Sequence, residues 1–84
     1  MQYLKQASYQ GEYKIKIMFS SNEELLVDLK NSLDGDIFHP LKDLKQFSQF
    51  SIDPDLETIT WKNGADFAPE FLYELGKQQI KQPT

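Results

Sequence analysis

Tyr13-Lys14-Ile15-Lys16-Ile17-Met18-Phe19 places a large apolar side chain at every second position, the period of a strand with one face on a core and one in water. Leu25, Val27 and Leu29 repeat the alternation after the polar run Ser20-Ser21-Asn22-Glu23, so the two stretches predict an antiparallel hairpin. With Ser21-Asn22-Glu23 as the loop, Phe19 falls opposite Leu25, Ile17 opposite Val27 and Lys16 opposite Asp28, and Met18 faces Leu26 on the outer side. A slip by one residue would turn the apolar row to water, so the facing is strongly specified. Upstream, Tyr3 to Tyr9 reads as an earlier strand joined through Gln10-Gly11, and its pattern fits two registers equally.

Downstream, Lys30 to Asp36 is a connection ending in the turn Asp34-Gly35-Asp36. Pro40 suits the first turn of a helix, where its missing N–H would have no partner anyway, and Leu41, Leu44 and Phe47 then share one helical face. Phe50 and Ile52 alternate with Ser51 and Asp53, Pro54-Asp55-Leu56-Glu57 reverses the chain, and Thr58 to Trp61 resumes as a strand, a second hairpin. Asn63-Gly64 ordinarily announces a hairpin, but Pro69 so soon after argues for a turn feeding a helix. That helix is expected from Pro69 to Leu75, with Phe71, Leu72 and Leu75 apolar, Phe67 stapled against Leu72 and Gly76 closing the end in a left-handed conformation. The order β-β-β-α-β-β-α predicts an α+β domain over residues 1–76, a small antiparallel sheet with two short helices packed on one face, and a polar, frayed tail over 77–84.

Eighty-four residues, 39% hydrophobic and 26% charged, are enough for one small core. Nine lysines face thirteen acids and there is no arginine, so the guanidinium fork that commonly reads guanine or clamps phosphate is missing. Direct binding to nucleic acid is therefore not expected. Without cysteine there are no disulfides, thiolate metal sites or cysteine nucleophiles. No stretch reads as a secretory signal or a membrane span, and a cytoplasmic location is expected.

His39, the one histidine, precedes Pro40 and reads as a solvated or structural residue at a helix entrance. The acids Asp34 and Asp36, and Asp53, Asp55 and Glu57, lack the spacing of a calcium loop and are explained by turn chemistry. Asp66 reads as an acceptor for N–H groups near the helix start, and its pairing with Glu70 gives no reason for either carboxyl to act as a catalytic acid. Neither the serines nor the glycines form a catalytic or phosphate-binding motif. No catalytic residue, metal ligand or cofactor is assigned. Of eleven aromatic residues, Trp61, Phe67 and Phe71 are expected in the core, and Tyr3, Tyr9 and Tyr73 at a rim.

The stretch Ile59-Thr60-Trp61-Lys62-Asn63-Gly64-Ala65-Asp66-Phe67-Ala68-Pro69-Glu70-Phe71-Leu72-Tyr73-Glu74 resembles the signature of the bacterial domain-of-unknown-function 2442 family. The strand ending at Phe19, Val27-Asp28-Leu29, Phe38-His39-Pro40-Leu41, Asp43, Phe47 and Asp53 fall in the same order, so the resemblance covers nearly the whole chain. It implies a small α+β domain and, by the setting of other members, an antitoxin component whose partner is a small toxin encoded nearby. Lys62 stands where many relatives have proline. The resemblance carries no catalytic residues.

The expected function is a non-enzymatic protein-interaction module, an antitoxin on the strength of that resemblance, docking through a strand edge, the outer sheet face or the Trp61–Asp66 turn. Met18, Leu26, Trp61, Asn63, Asp66 and Tyr73 are the expected partner-binding residues. The alternative is a small-ligand sensor with its pocket between helices and sheet near Trp61 and Tyr73. A homodimer through an open sheet edge is compatible with both.

Overall fold

The computed structural model describes residues 1–81. Strands β1 (Leu4–Tyr9), β2 (Lys14–Phe19) and β3 (Glu24–Asp28) form one antiparallel sheet in that spatial order. A 3-10 turn at Lys30–Ser32, another at His39–Lys42 and a one-turn helix α1 (Leu44–Phe47) lead to a second, two-stranded sheet of β4 (Ser51–Asp53) and β5 (Thr58–Thr60). Helix α2 (Pro69–Lys81) completes the α+β order. The strands thus divide into two sheets where one was expected.

Alternation decides the faces as expected: Ile15, Ile17, Phe19, Leu25 and Val27 are all buried on one side. The register differs by two residues, because Ile17 pairs with Leu25, Ile15 with Val27 and Lys14 with Asp28. The loop is Ser20-Ser21-Asn22, closed by hydrogen bonds from Phe19 N–H to Glu23 O and Asn22 N–H to Phe19 O, both 2.8 Å. Asn22 takes φ 69°, the left-handed conformation that the last residue of a three-residue hairpin loop needs and that asparagine tolerates. A two-residue slip keeps every side chain on its face, so core formation does not select between the registers; the turn does. Met18 consequently lies opposite Glu24, and Leu26 opposite Lys16.

The helix expected from Pro40 is broken. Asp43 is extended (φ −75°, ψ 116°), and its carboxylate accepts the Lys45 N–H at 3.2 Å, capping a fresh start for α1. The break leaves Leu41 and Phe47 buried while Leu44 is exposed. Asn63-Gly64 serves both possibilities: Gly64 N–H donates to Trp61 O, Trp61 N–H donates to Ala65 O, and Thr60 bridges Asp66 before the chain enters α2. Gly64 takes φ 93° in this loop.

Trp61 occupies the centre of the aromatic core. Its indole N–H donates to Phe47 O at 2.8 Å, and its rings meet those of Phe47, Phe67 and Phe50 at 5.7, 6.0 and 6.2 Å. Phe67 is sandwiched between Phe38 and Phe71 at 4.7 and 5.5 Å. Phe71, expected in the core, is 42% exposed, one face on Phe67 and the other towards solvent.

Gly76 does not end α2, and the part of the expected tail up to Lys81 is helical; residues 82–84 lie outside the described residues. A Cβ at position 76 would sit 3.0 Å from Leu25 Cδ1, 3.1 Å from Leu25 Cβ and 3.2 Å from Val27 Cγ2. The missing side chain therefore lets α2 lie directly on β3. Side chains at both ends of β3 fix the helix there: Lys77 pairs with Glu23, Tyr73 O–H donates to Glu23 Oε1 at 2.6 Å, and the Gln79 amide holds both the N–H and C=O of Asp28 at 2.9 Å. Hydrogen bonds from Lys77 and then Tyr73 lower the Glu23 pKa, while the same carboxylate raises those of Lys77 and Tyr73.

Two consequences are measurable. Gly76→Ala should destabilise: overpacking against the Leu25 Cβ costs about 1–3 kcal/mol, more than the about 0.5–1 kcal/mol that alanine returns in helix propensity. Urea unfolding should show a lower midpoint at unchanged slope, whereas a stabilised variant would contradict the close approach. Because the native Glu23 pKa is depressed, its stabilising contribution is present above the unfolded value and lost as pH falls through the native one. Glu23→Gln should thus be less stable than the parent near neutrality and converge with it below about pH 4; a constant difference across that window would remove Glu23 as the cause.

Candidate interaction surface

Of the six expected partner-binding residues, Trp61, Asn63 and Tyr73 have polar side-chain atoms engaged within the fold, while Asp66 is exposed. Trp61 is buried with its indole N–H used. Asn63 donates to Ile37 O at 2.7 Å and accepts from Ala65 N–H at 3.1 Å, Asp66 bridges Thr60 through its backbone, and the Tyr73 hydroxyl is committed to Glu23. Met18 and Leu26 remain on the outer side of the sheet, Met18 partly buried and Leu26 49% exposed. Tyr3 and Tyr9 are exposed and Tyr73 is half-buried, as expected of a rim.

The two edges of the larger sheet differ. Along β1 the second sheet approaches, and Leu4 N–H donates to Glu57 O at 3.0 Å. On β3, Phe19 N–H bonds Glu23 O and Leu29 N–H bonds Tyr13 O. Antiparallel alternation therefore turns Glu23, Leu25, Val27 and Leu29 inward to β2 and points the N–H and C=O of Glu24, Leu26 and Asp28 outward. Gln79 already fills both groups of Asp28. Among the described residues, Glu24 and Leu26 are left as the unpaired stretch of edge.

Beside this edge lies a cleft of about 550 Å³ between the end of β3 and the second half of α2. Leu26, Leu75 and Ile80 supply apolar surface, with Lys14, Asp28, Asn31, Ser32, Gln78 and Gln79 as polar walls. Ile80 is 64% exposed. Gln78, Gln79 and Ile80 were missed because Gly76 was read as a helix end, whereas Leu75 was already expected on the apolar side of the helix; the signal available was the helical spacing of Leu72 and Ile80. Trp61 lines a different and smaller cleft of about 220 Å³ with Leu41, Gln46, Gln49, Lys62 and Asn63, and Tyr73 lines neither. Among the described residues, no three His, Asp or Glu side chains are grouped to hold a metal, and no helix is long and apolar enough to cross a membrane.

No curated protein matches the chain. Among solved structures, the crystal structure of a Nitrosomonas europaea protein described as a "putative DNA binding protein" superposes with a TM-score of 0.85 at 20% identity. The match covers 100% of this chain but 54% of that one, so the chain spans about half the length of its structural neighbour. This neighbour corrects the expectation, drawn from composition, that nucleic acid is not a partner: a protein described as DNA binding carries the same fold over the matched half of its length. Neither comparison points to a small toxin as a partner. Residues 4–78 match the model of the family described as "Protein of unknown function (DUF2442)", and the chain belongs to that family.

Proposed function

We propose that the chain is a non-catalytic binding module that takes an extended peptide segment as an added strand on β3. The carrying observation is the short open edge at Glu24 and Leu26, beside an apolar-floored cleft and stopped at Asp28 by the Gln79 amide. Backbone pairing supplies affinity in this mode of recognition, and pockets for alternate side chains supply selectivity. Two edge residues offer four hydrogen-bonding groups, worth together about 2–6 kcal/mol at about 0.5–1.5 kcal/mol each. Micromolar binding requires about 8 kcal/mol, so an apolar partner side chain against Leu26, Leu75 and Ile80 must supply the remainder and offset the entropy of ordering the peptide. The reading is independent of the antitoxin setting that the resemblance implies.

The test is selection of extended peptides by display on the whole chain, followed by amide hydrogen exchange with a selected peptide bound. Protection should appear at Glu24 and Leu26, while Leu25 and Val27, already bonded to β2, change little. Leu26→Lys should weaken binding at least tenfold. Failure to select any peptide, or binding that leaves both edge amides exchanging freely, would reject strand addition.

A further inference from the structure

The open edge of β3 constrains both the direction and the chemistry of a strand added to it. Gln79 already uses this edge: its one amide accepts from the N–H of Asp28 and donates to the C=O of the same residue, each at 2.9 Å. Supplying one residue of β3 with both a donor and an acceptor is the pattern of a hydrogen-bonded antiparallel pair, whereas a parallel neighbour divides those two bonds between different residues. An antiparallel segment therefore meets every free group of Glu24 and Leu26 with two residues and the one between them. A parallel segment spreads the same bonds over five residues and runs on towards Asp28, where Gln79 occupies the edge.

Facing then fixes which side chains the segment presents. Directly opposed residues share a side of the sheet, so the residues paired with Glu24 and Leu26 lie beside them on the outer face. That face carries the rows Gln6–Met18–Glu24 and Ser8–Lys16–Leu26, followed by Lys14–Asp28. Lys16 lies opposite Leu26, one diagonal step from both Glu24 and Asp28, and Lys14 lies opposite Asp28 with its Nζ 3.7 Å from Glu12 Oε1. Lys5 donates to Asn22 Oδ1 at 2.6 Å, and Lys77 pairs with Glu23. The row of Glu24 itself holds no cation, and the position across the open edge from its carboxylate is unfilled by the fold.

We propose, resting on the strand-addition reading, that the added segment runs antiparallel to β3 and reads, from its N-terminus, apolar–any–basic. The apolar residue lies against Leu26, which is 49% exposed and lines the cleft, and a lysine or arginine lies against Glu24. An opposite charge directly across an antiparallel pair stabilises it, and a like charge opposes it. A second copy of this chain does not meet the pattern. Pairing β3 with itself about Leu25 sets Glu24 of each copy against Leu26 of the other, which leaves both carboxylates without a cation.

Selection from a display library of nonapeptides, randomised at three central positions, on the whole parent chain and on Glu24→Gln and Glu24→Lys tests this pattern. Glu24 is exposed, so both variants keep the core. On the parent, lysine and arginine should outnumber aspartate and glutamate about fivefold two positions after the apolar residue. The bias should vanish with Glu24→Gln and turn in favour of acids with Glu24→Lys. A nitroxide at the N-terminus of a selected peptide should broaden the amide signals of residues 30–32, and one at its C-terminus those of residues 21–23. Enrichment without a basic bias, a bias that Glu24→Lys leaves intact, or the reverse pattern of broadening would overturn the proposal while strand addition stands. Enrichment of no peptide on any of the three chains rejects strand addition and the proposal with it.

Discussion

The hydrogen bond from the Trp61 indole to the Phe47 carbonyl joins parts of the chain that local sequence would leave independent. It ties the end of α1 to the residue that follows β5, so the one-turn helix is held by tertiary packing, which a helix of that length requires. Around it the rings of Tyr13, Phe47, Trp61 and Phe67 follow one another at 5.3, 5.7 and 6.0 Å, mostly edge to face. A small domain has few large side chains, and this arrangement uses them to span the space between the three-stranded sheet and the segment leading to α2. Replacing the indole would leave Phe47 O buried without its donor, a cost of about 1–3 kcal/mol in addition to the lost packing.

How far the sequence revealed this depends on the range of the interaction. Period-two alternation separated the two faces of β2 and β3 without knowledge of their neighbours. The register escaped because Ser20-Ser21-Asn22 and Ser21-Asn22-Glu23 preserve the same facing, and only the left-handed Asn22 distinguishes them. Gly76 was misread for a related reason: a glycine near an expected helix end serves equally to terminate the helix or to admit a neighbour. The atoms that decide, on Leu25 and Val27, are some fifty residues away in the chain. Asp43 belongs with these cases, since a capping aspartate and a solvent-facing one look alike until the backbone is seen to turn.

For the candidate surface, alternation correctly put Leu26 on the outer side, but Gln79 as the partner of Asp28 had no local signal. Trp61, Asn63 and Tyr73 drew attention because they are large or polar in a distinctive stretch. Their polar atoms are instead satisfied by Phe47, Ile37 and Glu23, at separations of 14, 26 and 50 residues. A conspicuous motif can thus be structural glue while the exposed surface lies on less distinctive residues.

The contrast between the two sheet edges follows from how unpaired backbone is managed. An edge with free N–H and C=O groups invites pairing and is normally covered, shortened or charged. Here the second sheet approaches β1, while Gln79 covers the Asp28 end of β3 and the Glu23–Lys77 pair stands at the other. What stays open is short, which is poor material for indefinite strand stacking yet long enough to receive a defined segment.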